Sequence, residues 1–559
     1  MQTSIKPSPF ESLTKVISDY SPEGTKQKLE LLEKCSKEKI QKSKEILHYH
    51  DTLLFLCGYA ENKEVFDAAM EEMNRLCDAV LELSDVKKDS LSSSGIAFTQ
   101  TQSSFSLKIM LWLVNSFTSD VSLHSFDEEG LHPKELLKYS MNEMEFEMIS
   151  DEKLTKLKWL EKASGFKKKK DILKWYVTKV NELPLEDQLK EQLFESTKLY
   201  TKITPSGPKF SRSFGSVSIS SRYFHSNGIL KKFNEAQLIH SKLPKEKKLS
   251  TAQKEEVLSA SRIALALLHR ETDPITYSSP AGIKVFDLEH GLSIALFSID
   301  AQWRLPMESY IGFMMFKNGY PMSYGGAWLF GKRSLIGINI FEAFRGGESA
   351  FVFAQLLRTY RQAFGAEQFE VEPYQFGKNN PEGLKSGAFW FYHRFGFRPV
   401  DQKLNALSET EHQKITSIKG YRSSIDILKQ FTQSTLGVNF GTDKPGISPS
   451  QISYFITNVI AQQFKGERKA AEEKAKQILK IKLGLVYSKL KKEEKVGFDK
   501  LSLYVAFCLD LEKINAKDKA QLIKLIKEKG TDEFEYIVSY IKFPFQRYFV
   551  KELVDFKVK

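Results

Sequence analysis

The dipeptide Asn318-Gly319 lies between two apolar runs, residues 310–316 and 320–330. A two-residue hairpin turn needs left-handed backbone at both central positions, and Asn-Gly adopts it readily. The two runs are therefore read as adjacent antiparallel strands. Residues 283–288 and 292–299 flank Glu289-His290-Gly291 and predict a second hairpin. Gly331-Lys332-Arg333-Ser334 turns the chain into a further strand over 335–341. A helix follows over 349–364, where Phe351, Phe353, Ala354, Leu356, Leu357 and Tyr360 recur at helical spacing. A strand over 368–374, a glycine-bearing loop and a short helix over 386–395 complete this stretch.

Composition marks the same stretch. Residues 281–400 hold 15 of the 31 glycines, which implies tight turns and close backbone approaches. Arginine occurs once before Ser211, at Arg75, yet seven arginines fall between Arg304 and Arg398. In a lysine-biased chain, arginine suits positions that need a planar, forked cation.

The flanks read differently. The first 200 residues carry helical periodicity, clearest over 63–83, where Phe66, Ala69, Met70, Met73, Leu76, Cys77, Val80 and Leu81 share one face. Residues 201–227 are polar and rich in Ser and Pro, a linker signal. Ser250 and Gln253 are spaced as a capping box. Ser448-Pro449-Ser450-Gln451 combines an N-cap with a proline at the first helical position. The expected organisation is a helical domain over 1–200, a linker or irregular stretch over 201–249, a strand-rich core over 250–402 and a basic helical domain over 403–559.

Charge separates these parts. Of the net +12, +9 lies after residue 400 and +2 within 281–400. The basicity describes the C-terminal helices, mostly a lysine-rich solvated face, with nucleic acid as a candidate partner there. Cys35, Cys57, Cys77 and Cys508 show no C-x-x-C spacing, and no H-E-x-x-H occurs. Neither a disulfide scaffold nor a structural metal site is expected. The first residues hold no signal-peptide core, and no apolar run is long enough for a membrane span. The expectation is a cytoplasmic protein without a membrane span.

Two motifs bear on chemistry. The run from Gly326 to Lys332 nearly spells a P-loop, but Arg333 replaces the required Ser or Thr and the intervening residues are bulky. More informative is a strand that ends in Arg345-Gly346-Gly347-Glu348-Ser349-Ala350 and opens a helix. Small residues there let a pyrophosphate approach unpaired helix N–H groups, with the helix dipole favouring the anion. Arg345 adds a charge-assisted contact. Downstream, Ala388, Tyr392, Gly396 and Phe397 fall at fixed spacing.

The order of these parts resembles the GNAT family, the Gcn5-related N-acyltransferases. The family's A-x-x-x-Y-x-x-x-G-F helix matches at Ala388, Tyr392, Gly396 and Phe397. Its R/Q-x-x-G-x-G/A loop matches at Arg345 and Ala350, with Glu348 in place of the middle glycine. A one-residue deletion would instead align Gly347 and Ser349 with the small positions. Lys385 stands where the family often has asparagine. The resemblance implies an α+β fold: a mixed, mostly antiparallel sheet with flanking helices, between two mainly α-helical domains. It implies transfer of an acyl group from acetyl-CoA or another acyl-CoA to an amine acceptor, without a metal. Ile338, Ile340 and Phe341 would then pair with the pantetheine arm. Arg345, Gly346, Gly347, Ser349 and Ala350 would hold the pyrophosphate. Tyr392 would protonate the departing thiolate, and Glu372 or Glu308 would serve as base, with Glu342 and His290 as further candidates. Tyr374 and Gln375 would shape the acceptor pocket. Two alternatives stay open: transfer from aminoacyl-tRNA, using the basic C-terminal segment, and a non-catalytic scaffold with a degenerate core.

Overall fold

The computed structural model describes residues 7–150, 154–442 and 446–557. Among the described residues it is a mixed α+β protein with two sheets. The small sheet contains β1 (Thr101–Ser103), β2 (Val121–Phe126) and β3 (Leu199–Ile203), antiparallel in the order β1-β3-β2. The large sheet contains β4 (Ile283–Asp287), β5 (Leu292–Phe297), β6 (Ser309–Lys317), β7 (Tyr320–Phe330), β8 (Arg333–Ile340), β9 (Gln368–Val371), β10 (Arg398–Pro399) and β11 (Leu436–Asn439). Its order is β4-β5-β6-β7-β8-β9-β11-β10. Only the β8–β9 pair is parallel.

Local chemistry explains these elements. The β6–β7 hairpin turns at Asn318 (φ 48°) and Gly319 (φ 88°), as the dipeptide predicts. The β4–β5 hairpin turns at His290 and Gly291, both also left-handed. Parallel neighbours need a crossover, and helix Ser349–Phe364 supplies it between β8 and β9. Gly365 ends that helix in the left-handed conformation. β9 is shorter than expected: Pro373 lacks an N–H and opens a turn of 3₁₀ helix, Pro373–Phe376.

Packing divides the chain differently from the sequence-based boundaries. Helices Ser43–Tyr59 and Lys63–Leu81 bury Leu53, Val65, Met73 and Leu76 in the same core as the large sheet, helix Ser349–Phe364 and the C-terminal helices. Residues of 105–210 form a second core around Trp159 and Tyr176, against the small sheet. Helix Thr251–Leu267 covers a third core on β4–β7. The expected helical domain over 1–200 thus contains parts of two cores and most of a sheet. The helical periodicity expected through residue 200 ends at Ser196, and Lys198, with its positive φ, leads into β3.

The expected linker is pinned to the core. Arg222 stacks 3.8 Å from the Phe66 ring centroid and donates to the Cys57 carbonyl at 3.0 Å. Ser211, Ser213 and His225 are buried. Ser/Pro-rich polarity signals irregular backbone, which here is anchored at these buried residues while 218–221 stay exposed. The C-terminal segment is helical but also lends β11 to the large sheet. Among the described residues no helix is long and apolar enough to cross a membrane.

Candidate functional site

β8 and β9 pair only at their beginnings: Arg333 with Gln368, Ser334 with Phe369 and Leu335 with Glu370. β8 then runs on to Ile340 paired with β7 alone. The chain after β9 turns aside at Glu372, so the edge of β8 from Ile336 to Ile340 faces a parting rather than a neighbouring strand. Gln375 borders this parting, its Nε2 3.1 Å from where a Gly337 Cβ would stand. Tyr392 Oη donates to Gln375 Oε1 at 3.4 Å.

The open edge leads straight into the glycine loop. A short 3₁₀ turn, Glu342–Phe344, carries the chain to Arg345 and Gly346, both exposed. Gly346 has φ 88°, and its Cβ side is open space. Arg345 Nε donates to the Ile340 carbonyl at 3.3 Å. Ser349 and Ala350 lie half-buried in the first helical turn, whose N–H groups have no partner within the helix.

The inner side of the loop is closed. A Cβ on Gly347 would come within 2.6 Å of the Tyr59 ring, so only glycine fits there. The Glu348 N–H donates to Tyr59 Oη at 3.3 Å. The Glu348 carboxylate is 1% exposed and turns inward. Its Oε2 accepts from Lys317 Nζ at 2.7 Å and its Oε1 from the Leu230 N–H at 2.8 Å. Lys317 Nζ also donates to the His290 carbonyl at 2.6 Å and lies 4.4 Å from the Tyr59 ring centroid. Burial lowers the Lys317 pKa to about 8 despite the carboxylate. Burial, and then the Lys317 charge, lower His225 to about 3, so its imidazole is neutral. The charge that would repel a pyrophosphate is thus turned away from the outer loop and paired.

The structure brings Ile338, Ile340, Phe341, Arg345, Gly346, Gly347, Ser349 and Ala350 onto one continuous path. Glu372 is exposed where the chain leaves β9. Tyr392 is buried among Phe353, Phe376 and Phe397, and burial pushes its hydroxyl pKa well above the ordinary range. It reaches the parting only through Gln375. Glu308 is placed elsewhere. It precedes Ser309, which pairs with Leu329, the partner of Ser334 at the start of β8. That is roughly 20 Å from Ile340 at about 3.4 Å per strand residue. Burial raises the Glu308 carboxyl above its usual range against the charges of Arg333 and Lys529.

A cavity of about 790 Å³ opens beside the end of β8. Pro321 lines it from β7, Phe341 and Glu342 from the turn after β8, and Glu45, His48 and Asp51 from the N-terminal helices. Arg212 Nη1 pairs with Asp51 at 2.8 Å on its wall. Sequence reasoning missed Lys317, His225, Asp51 and Arg212 as site residues. Arg212 had a signal: it is the first arginine after Arg75 in a lysine-biased stretch. Lys317 and His225 had none, because one reads as a turn flank and the other as linker.

A scan against protein-family models found no match. Searches of curated proteins and of solved structures also found none.

Proposed function

We propose that this chain is an N-acyltransferase that takes its acyl group from acyl-CoA at the parting of β8 and β9. The pantetheine arm lies along the open edge over 337–340. The pyrophosphate meets Arg345 and the first N–H groups of helix Ser349–Phe364, where the dipole favours it. The acceptor amine enters from the cavity that Glu342 lines. Its nitrogen attacks the thioester carbonyl and the C–S bond breaks; the proton lost by the amine passes to a carboxylate and from there, through solvent, to the departing thiolate. Glu342 and Glu372 are the carboxylates positioned to take the amine proton. Tyr392 holds Gln375 in place and does not itself meet the thiolate.

The observation that carries this reading is the open edge of β8 leading, through one short 3₁₀ turn, to an exposed Arg345-Gly346 loop just before the helix N-terminus. The inward turn of Glu348 leaves Arg345 as the charged side chain on the outer loop. One observation favours the scaffold reading instead: Tyr59 covers Gly347 and takes the Glu348 N–H. Calorimetric titration of acetyl-CoA into the full chain decides between them. Micromolar binding that falls at least about tenfold in Arg345→Glu supports the enzyme. Wild-type protein that binds neither acetyl-CoA nor a longer acyl-CoA favours the scaffold.

A further inference from the structure

His225, His290 and Glu348 come from three distant segments: the irregular stretch before β4, the β4–β5 turn and the residue that opens helix Ser349–Phe364. Their donor atoms all lie within 4.8 Å of one another. His290 Nδ1 is 3.5 Å and His225 Nδ1 3.8 Å from Glu348 Oε1. Donors on a tetrahedral zinc ion, each about 2.0–2.1 Å from the metal, stand roughly 3.4 Å apart. An ion therefore fits after shifts of a few tenths of an ångström.

An independent observation points the same way. His225 is fully buried, and neither of its ring nitrogens makes a well-formed hydrogen bond among the described residues, its one polar backbone neighbour being Gly228. His290 Nδ1 is likewise buried and unpartnered. Buried polar atoms in folded proteins are almost always satisfied, so nitrogens left open and facing one carboxylate imply a missing partner. The carboxylate is already oriented. Lys317 anchors Oε2 and the Leu230 N–H fixes Oε1, as outer partners do around metal ligands.

We propose that His225, His290 and Glu348 bind a divalent transition-metal ion of the zinc class, through the two Nδ1 atoms and Oε1. Two imidazoles with one carboxylate select such an ion over calcium or magnesium, which prefer all-oxygen shells. Three protein donors leave a fourth position for water. The ion ties the irregular segment and the β4–β5 turn to the helix N-terminus. It does not depend on the acyl-transfer reading. A second His/Glu group, His393, Glu409 and His412, serves as the control. There the carboxylate is exposed and already held by Arg398 Nε at 2.6 Å.

The test uses tag-free full-length protein, stripped with a chelator and dialysed against micromolar zinc sulfate. Elemental analysis should find one zinc per chain. His290→Gln, at a partly exposed residue, should weaken binding by about 100-fold or more, and His393→Gln should leave it unchanged. X-ray absorption on the zinc-loaded wild type needs no variant and should show two imidazole ligands. Wild-type protein without stoichiometric zinc, unchanged retention in His290→Gln, loss in His393→Gln, or fewer than two imidazoles on the ion would each overturn the proposal.

Discussion

A buried lysine–glutamate pair lies beside each end of β6, one joining distant segments and the other spanning four residues of the C-terminal helices, and their surroundings differ. At the far end Lys317 meets Glu348 at 2.7 Å; at the near end Lys529 meets Glu533, also at 2.7 Å. Burial lowers both lysines to about 8. The Lys529 pair is hemmed in by cations and carbonyls. Lys529 Nζ donates to the Glu308 carbonyl at 3.0 Å, and Arg304 Nε stands 3.4 Å from Glu533. Arg304 Nη1 also donates to the Lys529 carbonyl. This pair clamps the C-terminal helices to the sheet, and the second Glu533 oxygen, which makes no hydrogen bond, faces the Arg304 guanidinium. The Lys317 pair faces two imidazoles with unused nitrogens and backs an exposed glycine loop. A buried ion pair is thus a clamp where further cations close around it and part of a site where open imidazoles face it.

The largest expected effect treats the pairs alike. Lys529→Met leaves the Glu533 carboxylate buried without its hydrogen-bonded cation, with Arg304 and Lys500 still nearby, and Lys317→Met strands Glu348. Each should cost about 3–5 kcal/mol in chemical denaturation with chelator present. A neutral result for either would break the comparison. Zinc should then separate the two ends. At 100-fold excess over its dissociation constant it should stabilise the wild type by about 2.7 kcal/mol. It should recover part of the loss in the Lys317→Met variant, and it should not reduce the penalty of Lys529→Met below that measured with chelator.

Glu191 sharpens the contrast, because it is a buried carboxylate with no cation partner among the described residues. It accepts from the N–H groups of Leu107 at 2.7 Å and Lys108 at 2.9 Å. Burial still raises its pKa from 4.5 to about 7, with Glu195 and Glu271 adding in the same direction. The folded form therefore binds more protons than the unfolded form between these values. Its contribution is complete below pH 4.5 and lost as pH rises through 7. Amide exchange in helix Leu107–Ser116 should show protection falling by about 2 kcal/mol from pH 5 to pH 8, after correction for intrinsic rates. Glu191→Gln should flatten the slope; protection that rises with pH would contradict the assignment. The smallest expected effect is in binding. Arg345→Glu should weaken acetyl-CoA by about tenfold, or 1.4 kcal/mol, while Arg333→Glu at the paired start of β8 should not.

Turn chemistry made much of the large sheet legible. Asn318-Gly319 and His290-Gly291 fix two hairpins locally, and the helix between β8 and β9 declares itself by periodicity. β1, β3 and β11 were not legible, because each has only three to five residues and finds its partner far along the chain. The loop from Arg345 to Ala350 was readable from its small residues. The direction of Glu348 was not, since it depends on Lys317 from another strand and on Tyr59 from the N-terminal helices. Spacing singled out Tyr392 but could not show that aromatic neighbours bury it. Glu308 was chosen for its place before a strand, and sequence cannot say which end of the sheet that place occupies.

Hydrogen–deuterium exchange of the full chain, with and without saturating acetyl-CoA, tests the central claim most directly. The account predicts new protection over 337–351 and 372–376, at the parting and the glycine loop, with no change over 333–335 or 528–533. No protection at the loop, or protection confined to the paired end of β8, would contradict it.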